Sequence, residues 1–287
     1  MSGTLYIVAT PIGNLEDITQ RALRVLGEVD IVACEDTRRT RVLLNRFGIK
    51  TKTLSYHEHN ERERAEEICQ LLLSGKHVAL VSDAGTPLIN DPGFRLTNAA
   101  IELNLTVVPI PGPTALISAL VASGLPSDQF FFAGFLPSRA NARREKLAEL
   151  GAISATLVFY EAPHRISAAL KDALEVLGNR QATVAREMTK MHEEFARGSL
   201  RELAQRFEVG PAVRGEIVLV ISGEAVDETS SAGEAGPASS RLIERVSQLE
   251  SEGLEAKLAL KKAARELGMK RDEAYRLVVA QKNRSNK

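Results

Sequence analysis

The chain predicts an α/β fold built on a mostly parallel sheet with helices on its faces, followed by further α/β elements and a small helical tail. Three observations carry that expectation. Five short apolar runs between residues 4 and 110 each end in a polar or Gly/Pro-rich loop, after which helical spacing takes over, and that repetition is the signature of strand–loop–helix units. A new set of elements begins after Gly124-Leu125-Pro126-Ser127, which marks a change of domain. Residues 224–240 then turn to Glu, Ala, Gly, Ser and Pro, a linker composition, before charged helical sequence resumes. The expected division is 1–123 and 124–223 as two α/β domains, 224–238 as linker and 239–287 as tail.

Bulk properties exclude several classes. With 287 residues and 44% apolar content, the chain buries a large core and, at about 100–200 residues per domain, holds more than one. Its formal net charge is zero, so any attraction to nucleic acid or membrane has to be local. Cys34 and Cys69 stand in no metal or redox spacing, which fits a reduced compartment. The opening Met-Ser-Gly-Thr-Leu-Tyr has no basic region followed by an apolar core, and no apolar run approaches ~18 residues, so a soluble cytoplasmic protein is expected and no membrane partner.

Along the chain, residues 4–9 form an apolar strand that runs into Thr10-Pro11-Ile12-Gly13-Asn14. Asn14 is placed to cap a helix carrying Leu15, Ile18, Ala22, Leu23 and Leu26. Residues 31–34 are the next strand and stop at Glu35-Asp36-Thr37-Arg38-Arg39-Thr40-Arg41. A strand over 51–56 leads into His57-Glu58-His59-Asn60-Glu61, and Asn60 is expected to cap a helix reaching Gly75. Val78 to Val81 is a buried strand delivering the loop Ser82-Asp83-Ala84-Gly85-Thr86-Pro87-Leu88-Ile89-Asn90-Asp91-Pro92-Gly93, with Pro92 suited to the first turn of the helix that follows. Residues 106–110 make a fifth strand, then Pro111-Gly112-Pro113-Thr114-Ala115 opens a small-residue helix to Ser123. In the second half a new set of elements starts with 129–135, and strands are expected over 156–160, 182–185 and 215–222. Loops at the carboxyl ends of parallel strands gather on one edge, where open α/β sheets bind ligands.

The tail differs in charge. Residues 239–287 carry twelve Lys or Arg against seven acids, a net +5, so the remainder of the neutral chain is −5. Lys257, Lys261 and Arg265 fall on one helical stripe opposite Leu260, Ala264 and Leu267. Gly268 is expected to end that helix and a second to run over 272–281, giving a helix–turn–helix pair. A solvated hairpin without a partner explains the same composition.

The common chemical motifs are missing: no G-x-G-x-x-G, G-x-x-x-x-G-K, H-E-x-x-H, G-x-S-x-G or C-x-x-C occurs. His57 and His59 lack a third ligand at metal spacing, so no metal is expected. What remains is loops of two kinds. Residues 10–14, 82–90 and 111–115 are small-sided and nearly uncharged, suited to close backbone contact with a compact ligand. Residues 35–41, 57–61, 161–165 and 186–190 are charged, suited to a polyanion or to acid–base work, although surface ion pairs are their ordinary explanation.

Those loops resemble one family. Thr4-Leu-Tyr-Ile-Val-Ala-Thr-Pro-Ile-Gly-Asn14, Ala33-Cys-Glu-Asp-Thr-Arg38, Val81-Ser-Asp-Ala-Gly-Thr-Pro-Leu-Ile-Asn-Asp-Pro-Gly93 and Pro111-Gly-Pro-Thr-Ala115 are similar to the bacterial ribosomal RNA small subunit methyltransferase I family, in the tetrapyrrole methylase superfamily. Tyr160-Glu-Ala-Pro-His-Arg165, Arg186-Glu-Met-Thr-Lys190 and the basic tail extend the match over essentially the whole chain. The resemblance implies two α/β domains of the class III S-adenosylmethionine-dependent type with the cofactor in the cleft between them. It also implies a homodimer and 2′-O-methylation of one cytidine ribose in the decoding region of 16S rRNA, on the free RNA or the small ribosomal subunit. On the same basis the cofactor is expected against Pro11, Asp83, Gly85, Thr86, Ile89, Thr114, Ala115 and Tyr160. Tetrapyrrole-methylating relatives carry Gly-Asp-Pro where this chain has Gly85-Thr86-Pro87, so the acid of that loop is absent unless Asp83 replaces it.

Methyl transfer to a ribose hydroxyl asks first for alignment of two bound reactants and then for help in removing a proton. Glu35, Asp36, Glu187, Lys190 and His57 are the candidates, with a pairing of Lys190 with Glu35 or Glu187 favoured; an imidazole titrates near neutrality and keeps His57 in the set. Arg38, Arg165 and Arg186, with Lys257, Lys261 and Arg265 of the tail, are expected to hold phosphates. Two other readings remain: a methyltransferase of the same fold acting on a tetrapyrrole or another small molecule, and a non-catalytic RNA-binding adaptor.

Overall fold

A computed structural model describes residues 2–210, 215–225, 237–252, 254–267 and residue 274. The chain divides into two compact units, 1–225 and 226–287. The larger opens with β1 (Thr4–Val8), β2 (Ile31–Cys34), β3 (Lys52–Ser55), β4 (Val78–Val81) and β5 (Thr106–Ile110). They pair in the order β3-β2-β4-β1-β5, every pair parallel. All four residues of β4 are buried because helices cover both faces, and a strand covered on both faces reads as an unbroken apolar run. On one face α3 (Glu61–Leu73) and α4 (Phe94–Glu102) bury Ile68, Leu72 and Leu96 against Leu5 and Leu80. On the other, α1 (Gln20–Glu28) and α2 (Thr37–Arg46) bring Val25, Leu26 and Leu44 against Val8, Val32 and Val81.

Several local expectations shift. Asn14 caps only a 3₁₀ turn over Leu15–Asp17, accepting from the Glu16 N–H, and α1 starts later under Thr19, whose hydroxyl accepts from the Ala22 N–H. Asn60 stands before α3 without capping it; its carboxamide accepts from the His57 N–H instead. Gly93, not Pro92, is the residue from which α4 starts. The run Glu35 to Arg41, expected as a loop, is mostly α2, with Asp36 accepting from the Arg38 N–H as its cap.

The second sheet comprises β6 (Phe130–Phe135), β7 (Thr156–Glu161), β8 (Arg180–Arg186), β9 (Glu194–Ser199) and β10 (Ile217–Ala225) in the order β6-β7-β10-β8-β9. Only β6 and β7 pair parallel. Strand β9 does not follow from the sequence pattern, since it is an edge strand with Glu194, Arg197 and Gly198 in place of an apolar run. One face packs α6 (Ala140–Gly151), α7 (Ile166–Leu177) and α8 (Leu200–Val209) through Leu147, Leu170 and Leu203 onto Phe159 and Leu219. The other receives α5 (Ala115–Ser123), whose Leu116, Ala119 and Leu120 pack on Val158, Val218 and Val220. Helix α5 therefore leaves the first sheet and lies on the second, bringing the Pro111 to Ala115 loop between the two.

The smaller unit packs α9 (Pro237–Ser251) on α10 (Ala256–Glu266), Leu242, Val246 and Leu249 meeting Ala259, Ala263 and Ala264. Arg245 pairs with Glu266 at 2.7 Å. Lys257, Lys261 and Arg265 are exposed on α10. The expected cap at Gly268 lies outside the described residues, as do residues 226–236 of the linker and the helix expected over 272–281 except Ala274, which is helical and buried in the same cluster. Among the described residues no helix is long and apolar enough to cross a membrane.

One glycine couples this framework to the loop after β4. Gly93 has φ +141, and a Cβ there would lie 2.8 Å from Leu80 Cδ2 and from Leu88 Cδ1. Gly93→Ala should therefore destabilise the larger unit by at least about 1–3 kcal/mol, read as a lower urea midpoint; an unchanged midpoint would show that the loop relaxes freely.

Candidate functional site

The loops that leave the carboxyl ends of the parallel strands meet the second sheet around a cavity of about 380 Å³. From the first half it is lined by Ile12, Arg39, Asp83, Gly85, Thr86, Ile89, Asn90, Asp91 and Ala115, and from the second by Phe135, Tyr160, Glu161, Met188, Glu216 and Val218, among others. A volume of this size suits a compact ligand.

Backbone pairing fixes the floor. The Thr10 N–H donates to the Gly85 carbonyl at 2.8 Å and the Gly85 N–H to the Thr10 carbonyl at 2.9 Å, tying the loop after β1 to the loop after β4. The Thr86 hydroxyl donates to the Pro113 carbonyl at 3.1 Å and brings in the third loop. Gly85 has φ +80, and a Cβ there would sit 3.4 Å from Ile12 Cγ2 on the cavity floor. Leu88 and Asn90 also have positive φ, 72° and 65°, a conformation that costs non-glycine residues free energy and clusters at functional sites.

The wall is acidic. Asp83 accepts from the Asp36 N–H at 3.1 Å and pairs with Arg39 at 3.1 Å. Asp91 is raised to about 6, first by burial and then by the charges of Glu35 and Asp83, with Glu216 adding to them. Glu35 is itself raised, by partial burial and by Asp83. Asp36 goes the other way, to about 2, because Arg38 binds its carboxylate through side chain and backbone.

The second sheet supplies aromatic and ion-paired groups. Tyr160 meets Phe132 and Phe135 edge to face, ring centroids 4.9 and 5.7 Å apart. Glu161 is buried, raised chiefly by that burial, and accepts from the Ala162 N–H at 2.8 Å. Arg165 lies 3.2 Å from it and donates to the Leu136 carbonyl. Lys190 pairs with Glu187 at 2.9 Å and lies 3.8 Å from Glu216, and the bond to Glu187 raises the lysine, keeping it protonated, and lowers the glutamate. The Asn14 N–H donates to the Thr189 hydroxyl at 3.0 Å, so the loop after β1 touches the loop after β8.

Of the residues expected at the cofactor, Asp83, Gly85, Thr86, Ile89, Ala115 and Tyr160 line the cavity, while Pro11 and Thr114 are chain neighbours of lining residues. Glu35, Asp36, His57, Glu187 and Lys190 do not line it; Glu35 is close enough to shift Asp91, and His57 close enough to act on Glu35. Arg38 is largely exposed beside Asp36, whereas Arg165 and Arg186 are engaged by Glu161 and Glu194. Sequence reasoning passes over Asp91, Glu216, Arg39 and Phe135. Asp91 stands inside the loop after β4 and is visible there as its second acid; nothing in the pattern singles out Glu216 or Phe135.

Residues 4–204 match the tetrapyrrole (corrin/porphyrin) methylases. The chain belongs to that family. A relative from Halalkalibacterium halodurans named ribosomal RNA small subunit methyltransferase I is 45% identical over 275 residues, covering 96% of this chain and 94% of that protein. A protein of the same name from Escherichia coli O157:H7 is 44% identical over 281 residues, covering 97% and 96%. Among solved structures, the uroporphyrin-III C-methyltransferase of Thermus thermophilus in complex with S-adenyl homocysteine matches with a TM-score of 0.52 at 20% identity, covering 77% of this chain and 97% of that one. The fold has the two α/β halves that the resemblance implies, with the cavity where their loops meet.

Because Asp91 is raised above the ordinary carboxylate value, its ionisation costs stability as pH rises from about 4 toward about 6. Asp91→Asn should melt with the parent below about pH 4 and above it in temperature beyond about pH 6. A melting difference that does not change with pH would show that Asp91 is not held among like charges.

Proposed function

We propose that the chain is an S-adenosylmethionine-dependent methyltransferase of small-subunit ribosomal RNA, transferring the methyl group to the 2′-hydroxyl of a cytidine ribose. The observation that carries the reading is near full-length identity of 44–45% to proteins named for that RNA, in a chain whose cavity wall is acidic. The residues present suit the cofactor. Asp83, Asp91 and Glu216 favour a cation, Gly85 gives the floor its close backbone approach, and Tyr160 and Met188 offer apolar cover. When bound, S-adenosylmethionine supplies an electrophilic methyl group on a sulfonium.

Within this reading the chain's own groups divide the work. Asp83, fixed by the Asp36 N–H and Arg39, holds positive charge in the cavity. Lys190, kept protonated by Glu187, stabilises negative charge growing on the ribose oxygen, and Glu35, raised by partial burial and by Asp83, takes the proton. Asp36 is committed to Arg38 and positions the loop. Arg38 and Arg39 at the edge, and Lys257, Lys261 and Arg265 on α10, hold phosphates. Thr86 takes a structural bond in place of the acid that tetrapyrrole-methylating relatives carry, consistent with a different substrate. We further propose that the protein works as a homodimer in the cytoplasm, where its RNA substrate is made.

Single-turnover methylation of small ribosomal subunits at saturating concentration tests the proton-removal scheme. Lys190→Ala and Glu35→Gln should each slow the chemical step by ~10²–10⁴-fold with S-adenosylmethionine affinity retained, and His57→Ala should stay within about threefold of the parent. Parent-like rates for all three would mean that alignment of the reactants suffices.

The tail is tested separately. Deleting residues 239–287 should weaken RNA binding and reduce the steepness of its salt dependence, by about 0.7–0.9 in the log–log slope for each phosphate that the tail neutralises. Cofactor affinity should persist. An identical slope would assign the basic stripe on α10 to solvation alone.

A further inference from the structure

Strand β6 contains an irregularity whose consequence is chemical. Phe132 pairs with Val158 and Phe135 pairs with Tyr160, so three steps along β6 oppose two along β7. Val158 and Tyr160 are two residues apart and share a face, and paired residues share a face as well. Without the extra residue Phe135 would point away from Phe132; the bulge puts both rings on the cavity side, where both meet Tyr160. Gly134 makes this possible, since its φ is +66 and a Cβ there would lie 2.8 Å from Asn90 Oδ1.

A phenyl ring aimed in this way and left 50% exposed on a cavity wall has an unfilled partner. Charge says what that partner is. Asp83, Asp91 and Glu216 line the same cavity and repel phosphate, whereas Arg39, which lines it beside Asp83, and Arg38, beside Asp36, keep 70% and 88% of their side chains exposed and attract phosphate from the solvent side. The part of an RNA that comes up to the wall is therefore uncharged, and a flat uncharged nucleobase matches a flat ring.

We propose that Phe135 is the platform on which the nucleobase of the methylated nucleotide stacks, and that the bulge at Gly134 is the device that aims it. This rests on the RNA reading above. Tyr160 holds the platform edge to face and is itself met edge to face by Phe132, and Asn90 of the loop after β4 lies where a side chain on Gly134 would stand.

The test uses the full chain, S-adenosylmethionine and small ribosomal subunits from a strain lacking this activity. Stacking of one base is worth about 5–150-fold. Phe135→Ala and Phe135→Leu should both fall by that factor in kcat/KM, chiefly through KM, while Phe135→Trp should stay within about threefold of the parent. All three should keep parental S-adenosylmethionine affinity by calorimetry and parental mass in solution. Full activity of Phe135→Ala, or of Phe135→Leu, would overturn the proposal, because leucine supplies apolar area without a ring. Weakened cofactor affinity would reassign Phe135 to the cofactor, and a changed mass would reassign it to a contact between copies; either overturns the proposal while leaving the RNA reading intact. A parent protein that binds S-adenosylmethionine yet leaves the subunits unmethylated would overturn both.

Discussion

Holding several carboxylates on one cavity wall is the constraint around which the rest of the site is arranged. Asp83, Asp91 and Glu216 line the wall, and their charges, with that of Glu35, make Asp91 harder to ionise on top of its burial. Like charges in a partly desolvated place persist only where the surrounding structure fixes them. Here the fixing is done by backbone: the reciprocal Thr10–Gly85 bonds, the positive φ of Leu88 and Asn90, and Gly93 wedged between Leu80 and Leu88. Asp36 behaves in the opposite way. One arginine bound through both side chain and backbone takes it to about 2, and Asp36 then commits its charge to Arg38 and to the start of α2. Asp83 and Glu216 have looser partners, Arg39 at 3.1 Å and Lys190 at 3.8 Å, and with Asp91 they face the cavity, in position to attract a cation.

The second sheet meets that wall at close quarters. A Cβ on Gly13 would lie 2.7 Å from both Lys190 Cγ and the Thr189 hydroxyl, and one on Gly134 would reach Asn90, so the loops of the two halves touch where only glycine fits. Helix α5 makes the junction firm. Its sequence, Ala-Leu-Ile-Ser-Ala-Leu-Val-Ala-Ser, is apolar nearly all round, and its Leu116, Ala119 and Leu120 pack under the second sheet while its first residue lines the cavity. A ligand in the cavity is consequently held by both halves, and any hinge between them would open the site.

Much of this is legible in the residues because parallel strands announce themselves. Buried on both faces, β4 reads as an unbroken apolar run, β1, β2 and β5 are apolar enough to stand out with it, and the loops after β1, β4 and β5 are dense in Gly, Pro, Ser and Thr. Edge strand β9 does not, since a strand with one side on solvent tolerates Glu194 and Arg197. Helix starts are misplaced for a related reason: Asn14 and Thr19 are both good caps, and only tertiary packing of Ala22, Val25 and Leu26 chooses the second. In the site, residues within the Gly/Pro-rich loops can be read from the chain, and those brought in by strand pairing cannot. Glu216 precedes a strand that sits between two others, and Phe135 reaches the cavity only through a bulge, so neither position follows from local pattern.

The zero net charge also has a physical meaning once the elements are in place. On the proposed reading the chain holds a cation and a polyanion, which one sign of field cannot serve, and residues 1–238 and 239–287 carry −5 and +5. In the larger unit a similar separation recurs on a smaller scale: several carboxylates line the cavity, while Arg38 and Arg39 at the start of α2, the latter also touching the cavity, keep most of their side chains in solvent. On the same reading, phosphates are held outside and uncharged parts of a nucleotide approach the wall. A cavity that excluded charge altogether would bind the cofactor poorly, and one with basic residues inside would draw phosphate into the place of the ribose. On the proposed reading, acid within and exposed arginines at the margin let a sulfonium and a ribose hydroxyl meet.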